Sequence, residues 1–334
     1  MLLDKLLSHN TQLQTVPGLD KLPASELTDF LHRYLICCRV ENKSRKTLIA
    51  YGQFVGYFIR FLASIRQIPG IAELHQDHIR LFLLSLQERK LAPESVSAYY
   101  RSLHTFFNWL KSEEYLERNP FDKLRAPRMP KKHVKGLPAD VIDRVLRLCL
   151  AEKSFTGLRN CAIVLMFLDT GIRRAELQGI KLAEVYFDQG LIRVMGKGAK
   201  ERIVRMGEIT QKALLHYLLK RKDDRDDLWV TEEGKPLSEQ GITTAMVRLA
   251  QRAGIPKTLK RGTHAYRHTA ATSYLRNHGN LKCLQEMMGH ENIKTTMRYA
   301  DALGPEAMIA DHRLASPVDN FLGNKARKKQ VKNR

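Results

Sequence analysis

Within "GTHAYRHTAATSYLRNHGN", residues 262–280, His264, Arg267 and His268 stand at i, i+3 and i+4. On a helix those positions share one face, so two imidazoles and a guanidinium would lie side by side. Three chemistries suit that set. Two histidines at i, i+4 bind zinc, with His290 as a third ligand; arginine beside histidine suits a phosphate; or the face is simply solvated. Against zinc stand Ala265, where a metalloprotease helix carries Glu, and the positive charge of Arg267 itself. On these residues alone the three readings remain open.

Three other stretches carry groups of the same kind. In "LDTGIRRAELQGI", Thr170 and Gly171 break an apolar helix and can cap the next one, which places Arg173 in a first turn with Glu176 three residues on. A guanidinium there would add its forked donors to the free N–H groups of a helix start, an oxyanion site; an ordinary surface Arg–Glu pair fits equally well. In "GKGAK", Lys197 sits at a turn between glycines that let the backbone approach a ligand, without the spacing of a phosphate-cradling loop. In "MMGHENIKTTMRYADAL", His290 follows the helix-ending Gly289, and Tyr299 comes nine residues later. A tyrosine is a poor nucleophile at its ordinary pKa of about 10 unless cations stabilise the phenolate.

The elements that must position these groups fall into two parts. Between Ala24 and Leu116 the apolar residues recur at helical spacing, as in Leu48, Tyr51, Phe54, Val55, Phe58, Phe61, Leu62 and Ile65, and predict about four helices with the aromatics in their core. "NPFDKLRAPRMPKKHVKGLPAD" follows, with four prolines that forbid a helix. Its span from Phe121 to Lys135 holds six Lys/Arg against one acid, which reads as a linker lying along a polyanion. The second part mixes helices with "LIRVMGKGAKERIVRM", two β-favouring runs joined at Gly196 and Gly198 that predict a hairpin. The last eleven residues carry six Lys/Arg and no acid, a basic tail expected to be disordered.

Bulk composition agrees. The 334 residues are 43% hydrophobic, enough for two cores, and 56 Lys+Arg against 35 Asp+Glu leave a net charge of +21. Such an excess points to nucleic acid or an anionic membrane surface. No apolar run approaches the ~20 residues that span a bilayer, and the start does not read as a signal peptide. The five cysteines form no CxxC pair and are expected to be reduced, most of them buried. Together these features predict a soluble, cytoplasmic protein with a phosphate-rich partner and no membrane association.

Taken in order, TGIRRAEL, GKGAKER, HAYRH, MGH and a tyrosine nine residues beyond that histidine resemble the tyrosine recombinases, or phage integrase family, from about Gly136 to Leu303. The resemblance implies a mainly α fold with a small β-hairpin or sheet: a two-domain clamp in which a helical SAM-like core-binding domain joins a mixed α/β catalytic domain. Its boundaries would be an extension over 1–23, the core-binding domain over 24–120, a basic linker over 121–137, the catalytic domain over 138–315 and the basic tail over 316–334. Residues 1–23 are too few for a full arm-binding module.

The resemblance also implies roles. Arg173, Lys197, His264, Arg267, His290 and Tyr299 would be catalytic, with Tyr299 the nucleophile and Lys197 the general acid; His290 would add a hydrogen bond to the phosphate. Arg174 is the neighbour of the first arginine rather than the catalyst. Glu176 and His268 would be accessory, His268 supporting the helix or Glu176. Lys131, Lys132, Lys135, Lys200 and Arg202 are expected to contact DNA. The implied reaction is strand exchange on double-stranded DNA with no metal and no ATP or other cofactor, in a homo-tetrameric synapse and with a possible accessory directionality protein. It would serve integration or excision of a mobile element, or alternatively resolution of chromosome or plasmid dimers by a Xer-like enzyme. A zinc hydrolase and a catalytically dead DNA-binding regulator are the readings from other classes. Two departures from the family pattern, Tyr266 in place of an aliphatic residue and Met288 in place of Leu, remove no functional group.

Overall fold

The computed structural model describes residues 16–66, 68–129, 136–196, 200–259 and 261–304. They form two compact units, one on each side of the basic stretch around Lys131–Lys132.

The first unit is built from α1 (Glu26–Val40), α2 (Arg45–Ser64), α3 (Gln76–Glu88) and α4 (Pro93–Ser112). Their starts follow from local chemistry. The Ser25 and Ser44 hydroxyls accept the Thr28 and Thr47 N–H groups at 3.3 and 3.2 Å, and Pro93 opens α4 where its missing N–H does no harm. The aromatic stripe is core as expected: Phe58, Phe82, Phe106 and Phe107 are fully buried. One boundary differs from the sequence reading. Phe121 is buried in this core against Tyr100, His104 and Phe107, and the Tyr100 hydroxyl donates to the Leu124 carbonyl at 3.0 Å. The chain from 121 to 124 therefore packs with the first unit, because an apolar ring outweighs the linker-like composition around it.

The second unit contains α5 (Ala139–Ala151), α6 (Phe155–Thr170), α7 (Arg174–Gly179), β1 (Val185–Tyr186), β2 (Leu191–Met195), β3 (Glu201–Arg205), α8 (Glu208–Leu218), α9 (Glu239–Arg252), α10 (Thr263–Arg276), α11 (Leu281–Met288) and α12 (Ile293–Ala300). Helix α6 reads apolar all round because it is packed by α5, α8 and α10 together. The expected hairpin is present, with Leu191 opposite Arg205 and Met195 opposite Glu201, and β1 adds a third antiparallel strand through Val185 and Ile192. Ile192, Val194 and Val204 point into the core. By the two-residue period of a strand, Arg202 shares that inward face. A separate apolar cluster of Ala271, Leu275, Leu284, Met288 and Tyr299 locks α10, α11 and α12 together. Of the cysteines, Cys38, Cys149 and Cys161 are buried, Cys37 is partly so, and Cys283 is exposed; all are free thiols. No described helix is long and apolar enough to cross a membrane.

Candidate active site

Helix α6 ends at Gly171, whose φ of +60° is left-handed; a Cβ there would lie 2.5 Å from the Met288 Sδ. The chain then runs extended through Arg173, which precedes α7 at its N-cap position rather than lying in its first turn. Glu176 explains the difference. Its carboxylate takes the Arg173 backbone N–H at 2.8 Å and the guanidinium Nη1 at 2.7 Å, so the helix start is already occupied by an acid. Thr170 does not cap α7; its hydroxyl bonds back to the Met166 carbonyl at 2.6 Å.

Helix α10 presents Arg267 and His268 toward this point, starting from Gly262 as N-cap with Thr263 as its first residue. Arg267 is 5% exposed. Its guanidinium donates to the Gly171 carbonyl, to the Met288 carbonyl at 2.7 Å, and to His290 Nε2 at 3.1 Å. Because guanidinium can only donate, Nε2 of His290 accepts, and its proton sits on Nδ1, 2.9 Å from the Thr296 hydroxyl. Burial first, and then the charges of Arg267, Arg173 and Arg202, lower the His290 pKa to about 4, so the ring is neutral. In this arrangement the imidazole cannot donate to a phosphate through Nε2. Burial, then repulsion from Arg173, lowers Arg267 itself to about 10.

Tyr299 comes from α12, whose buried residues are Thr296 and Tyr299. Its hydroxyl lies 3.0 Å from His268 Nδ1, and its ring stacks parallel to that of His290 with centroids 6.3 Å apart. Burial raises the phenol above its ordinary range; Arg267, Arg298 and Arg173 pull it down but do not offset that. His264, expected among the catalytic residues, is exposed on α10, one turn away with its ring 6.4 Å from that of His268. His268, expected to support the helix or Glu176, touches the hydroxyl.

The carbonyls at the end of α11 tie the site together. The last carbonyls of any helix lack intrahelical partners and carry the negative end of its dipole. Here Met287 O accepts from Arg202 at 3.1 Å, Met288 O from Arg267, and Gly289 O from Arg173 at 2.6 Å. Three consecutive carbonyls thus hold three guanidiniums, and Glu176 is the carboxylate among them, its pKa held at about 2: burial would raise it, but hydrogen bonds and charge from Arg202 and Arg173 prevail. Thr296 and these carbonyls escaped the sequence reading, since backbone acceptors have no signature of their own.

Other expected groups are elsewhere. Lys200 is exposed and paired with Glu291 at 2.9 Å. Lys131, Lys132, Lys135, Lys197 and the basic tail lie outside the described residues. Tyr266 is fully buried in the main core and Met288 in the cluster behind Tyr299, so both departures from the family pattern are packing residues. Among the described residues no three His, Cys, Asp or Glu are placed to share a metal.

A tyrosine hydroxyl beside an imidazole, next to guanidiniums in excess of carboxylates, has the groups that nucleophilic chemistry on an anion requires. The chain matches the Phage integrase family over residues 135–304 and the Phage integrase N-terminal SAM-like domain over residues 30–117. It is 30% identical to the tyrosine recombinase XerD of Halalkalibacterium halodurans over 276 residues, covering 80% of this chain and 91% of that one. It is 32% identical to the tyrosine recombinase XerC of Oceanobacillus iheyensis over 267 residues, covering 78% and 86%. The protein therefore belongs to the phage integrase family of tyrosine recombinases. Its fold is that of the Tn1549 transposon integrase in complex with transposon right end DNA (TM-score 0.68, 22% identity, 86% of this chain and 99% of that one) and of XerH site-specific recombinase bound to palindromic difH substrate (0.67, 19%, 88% and 92%).

Proposed function

We propose that the protein cuts and rejoins double-stranded DNA at a specific site through a 3′-phosphotyrosyl bond to Tyr299. The observation that carries this is the contact of the Tyr299 hydroxyl with His268 beside the guanidiniums of Arg173 and Arg267. The phenol oxygen attacks a backbone phosphorus and the bond to the 5′-oxygen breaks; a 5′-hydroxyl from another strand reverses the step. The phosphodiester energy is kept in the protein link, so neither ATP nor a metal enters. His268 takes the phenolic proton, in preference to His264. Arg173 and Arg267 face the non-bridging oxygens with forked donors. His290 acts by aiming Arg267. Lys197, by its place in the motif, protonates the leaving 5′-oxygen.

Exchange between two duplexes requires cuts in every strand, hence a homo-tetrameric synapse, acting in the cytoplasm and open to an accessory directionality protein. The first biological reading is integration or excision of a mobile element. The second, a Xer-like resolvase of chromosome or plasmid dimers, is favoured by relatives that cover most of this chain. Element borders in the flanking genome would support the first, and a chromosomal dimer-resolution sequence as substrate the second.

The chemical test is a duplex nicked near the cleavage position, bearing a site selected on this protein. The wild type should form a covalent adduct that migrates slowly in denaturing gels, and Tyr299→Phe should form none. A phenylalanine variant that still forms the adduct would sink Tyr299 as nucleophile.

A further inference from the structure

Arg202 ends the GKGAKER motif but is not among the residues to which the family resemblance gives a catalytic role, and its place on a basic hairpin suggests a contact to DNA. Its surroundings say otherwise. The side chain is 14% exposed, against 73% for Lys200 two residues earlier on the same hairpin. All three of its nitrogens are engaged: Nη1 and Nη2 with the two Glu176 oxygens at 2.8 Å each, and Nε with the Met287 carbonyl at 3.1 Å. Glu176 is itself 5% exposed at the side chain and holds Arg173 by both backbone and guanidinium. The packing leaves no slack. A Cβ on Gly289 would lie 3.0 Å from the Arg202 Cζ and 3.1 Å from the Arg173 Nη1.

We infer that Arg202 is a positioning residue for strand cleavage: its two-pronged bond fixes Glu176, its third bond fixes the end of α11, and together these aim Arg173. The inference rests on the strand-cleavage reading above. Swinging out to a phosphate would strip a buried carboxylate of two charge-assisted bonds, a strongly unfavourable exchange. Arginine is required because a lysine supplies one point charge and cannot make two parallel bonds and a third to a carbonyl.

The test uses the full-length chain on the nicked selected duplex, with binding and single-turnover adduct formation measured separately. R202Q should lower the adduct rate at saturating DNA about 10–100-fold, the size of loss seen when the partners that orient metal ligands are removed. Its Kd and the salt dependence of binding should stay those of the wild type. R202K should recover part of the rate, and R202Q should add little in an E176Q background. The inference is overturned if R202Q binds DNA more weakly with a salt slope shallower by about one, as loss of a phosphate contact predicts, while cleaving at the wild-type rate once saturated. Absence of adduct in the wild type would sink the strand-cleavage reading first and this inference with it.

Discussion

Arg267 is a nearly buried cation whose direct contacts are neutral: two carbonyls and an imidazole. Burying a charge on neutral partners is unfavourable, and the remaining shortfall is what an incoming phosphate would meet. Replacing it tests that directly. Arg267→Lys keeps the charge but cannot span the carbonyls of Gly171 and Met288 together, so cleavage at saturating DNA should fall by about 10²–10³, the usual loss for one fixed donor. A variant altered only in Kd would show that Arg267 binds without stabilising the transition state. His290 makes a second prediction. Its pKa is about 4 folded and 6.5 in the unfolded chain, so between these values the unfolded state binds the extra proton. Stability should therefore fall as pH drops from about 6.5 toward 4, with Glu176, held at about 2 against 4.5, extending the loss below pH 4.5. Urea unfolding across this range should show a shallower decline in His290→Gln; an identical decline would remove His290 as the cause. At this scale Arg173, Glu176, Arg267, His290 and Tyr299 were legible as types in motifs. That His268 rather than His264 meets the Tyr299 hydroxyl was not, because both lie on the same face of α10 and only the placement of α12 decides which is in reach.

Helix α11 shows how an element makes a site from its backbone. Its left-handed cap at Gly289, φ +62°, turns the final carbonyls outward, where Arg202, Arg267 and Arg173 collect them. Gly289→Ala adds a strained φ, costing about 1–2 kcal/mol, and also drives a methyl against two of those arginines. Gly304 is the control: its φ is +73°, but among the described residues nothing lies within 4 Å of its Cβ position. Both variants should lose comparable backbone stability, and Gly289→Ala alone should lose cleavage. Equal activity in the two would mean that the arginines tolerate displacement. Sequence periodicity reported α1 to α4 and the hairpin faithfully, since each has an apolar stripe. It also contained, unread, the phase that puts Arg202 on the inward face with Val194 and Val204.

For the whole molecule, the net charge of +21 is the governing quantity. A protein neutralising about 6–10 phosphates should lose about 10³–10⁵ in DNA affinity between 50 and 200 mM salt. Fluorescence anisotropy with the full chain measures that slope; a flat response would contradict a phosphate-dominated interface. Composition, motif order and hydrophobic period were sufficient by themselves for the family, the two-part organisation and the kinds of groups at the site, because those properties are local or additive along the chain. The contacts among Arg202, Glu176, Arg173, Arg267, His268, His290 and Tyr299 were decided only by tertiary packing. They join β3, α7, α10, the end of α11 and α12, through contacts between residues as far as 116 positions apart, and their distances depend on cores and helix ends that no single segment encodes.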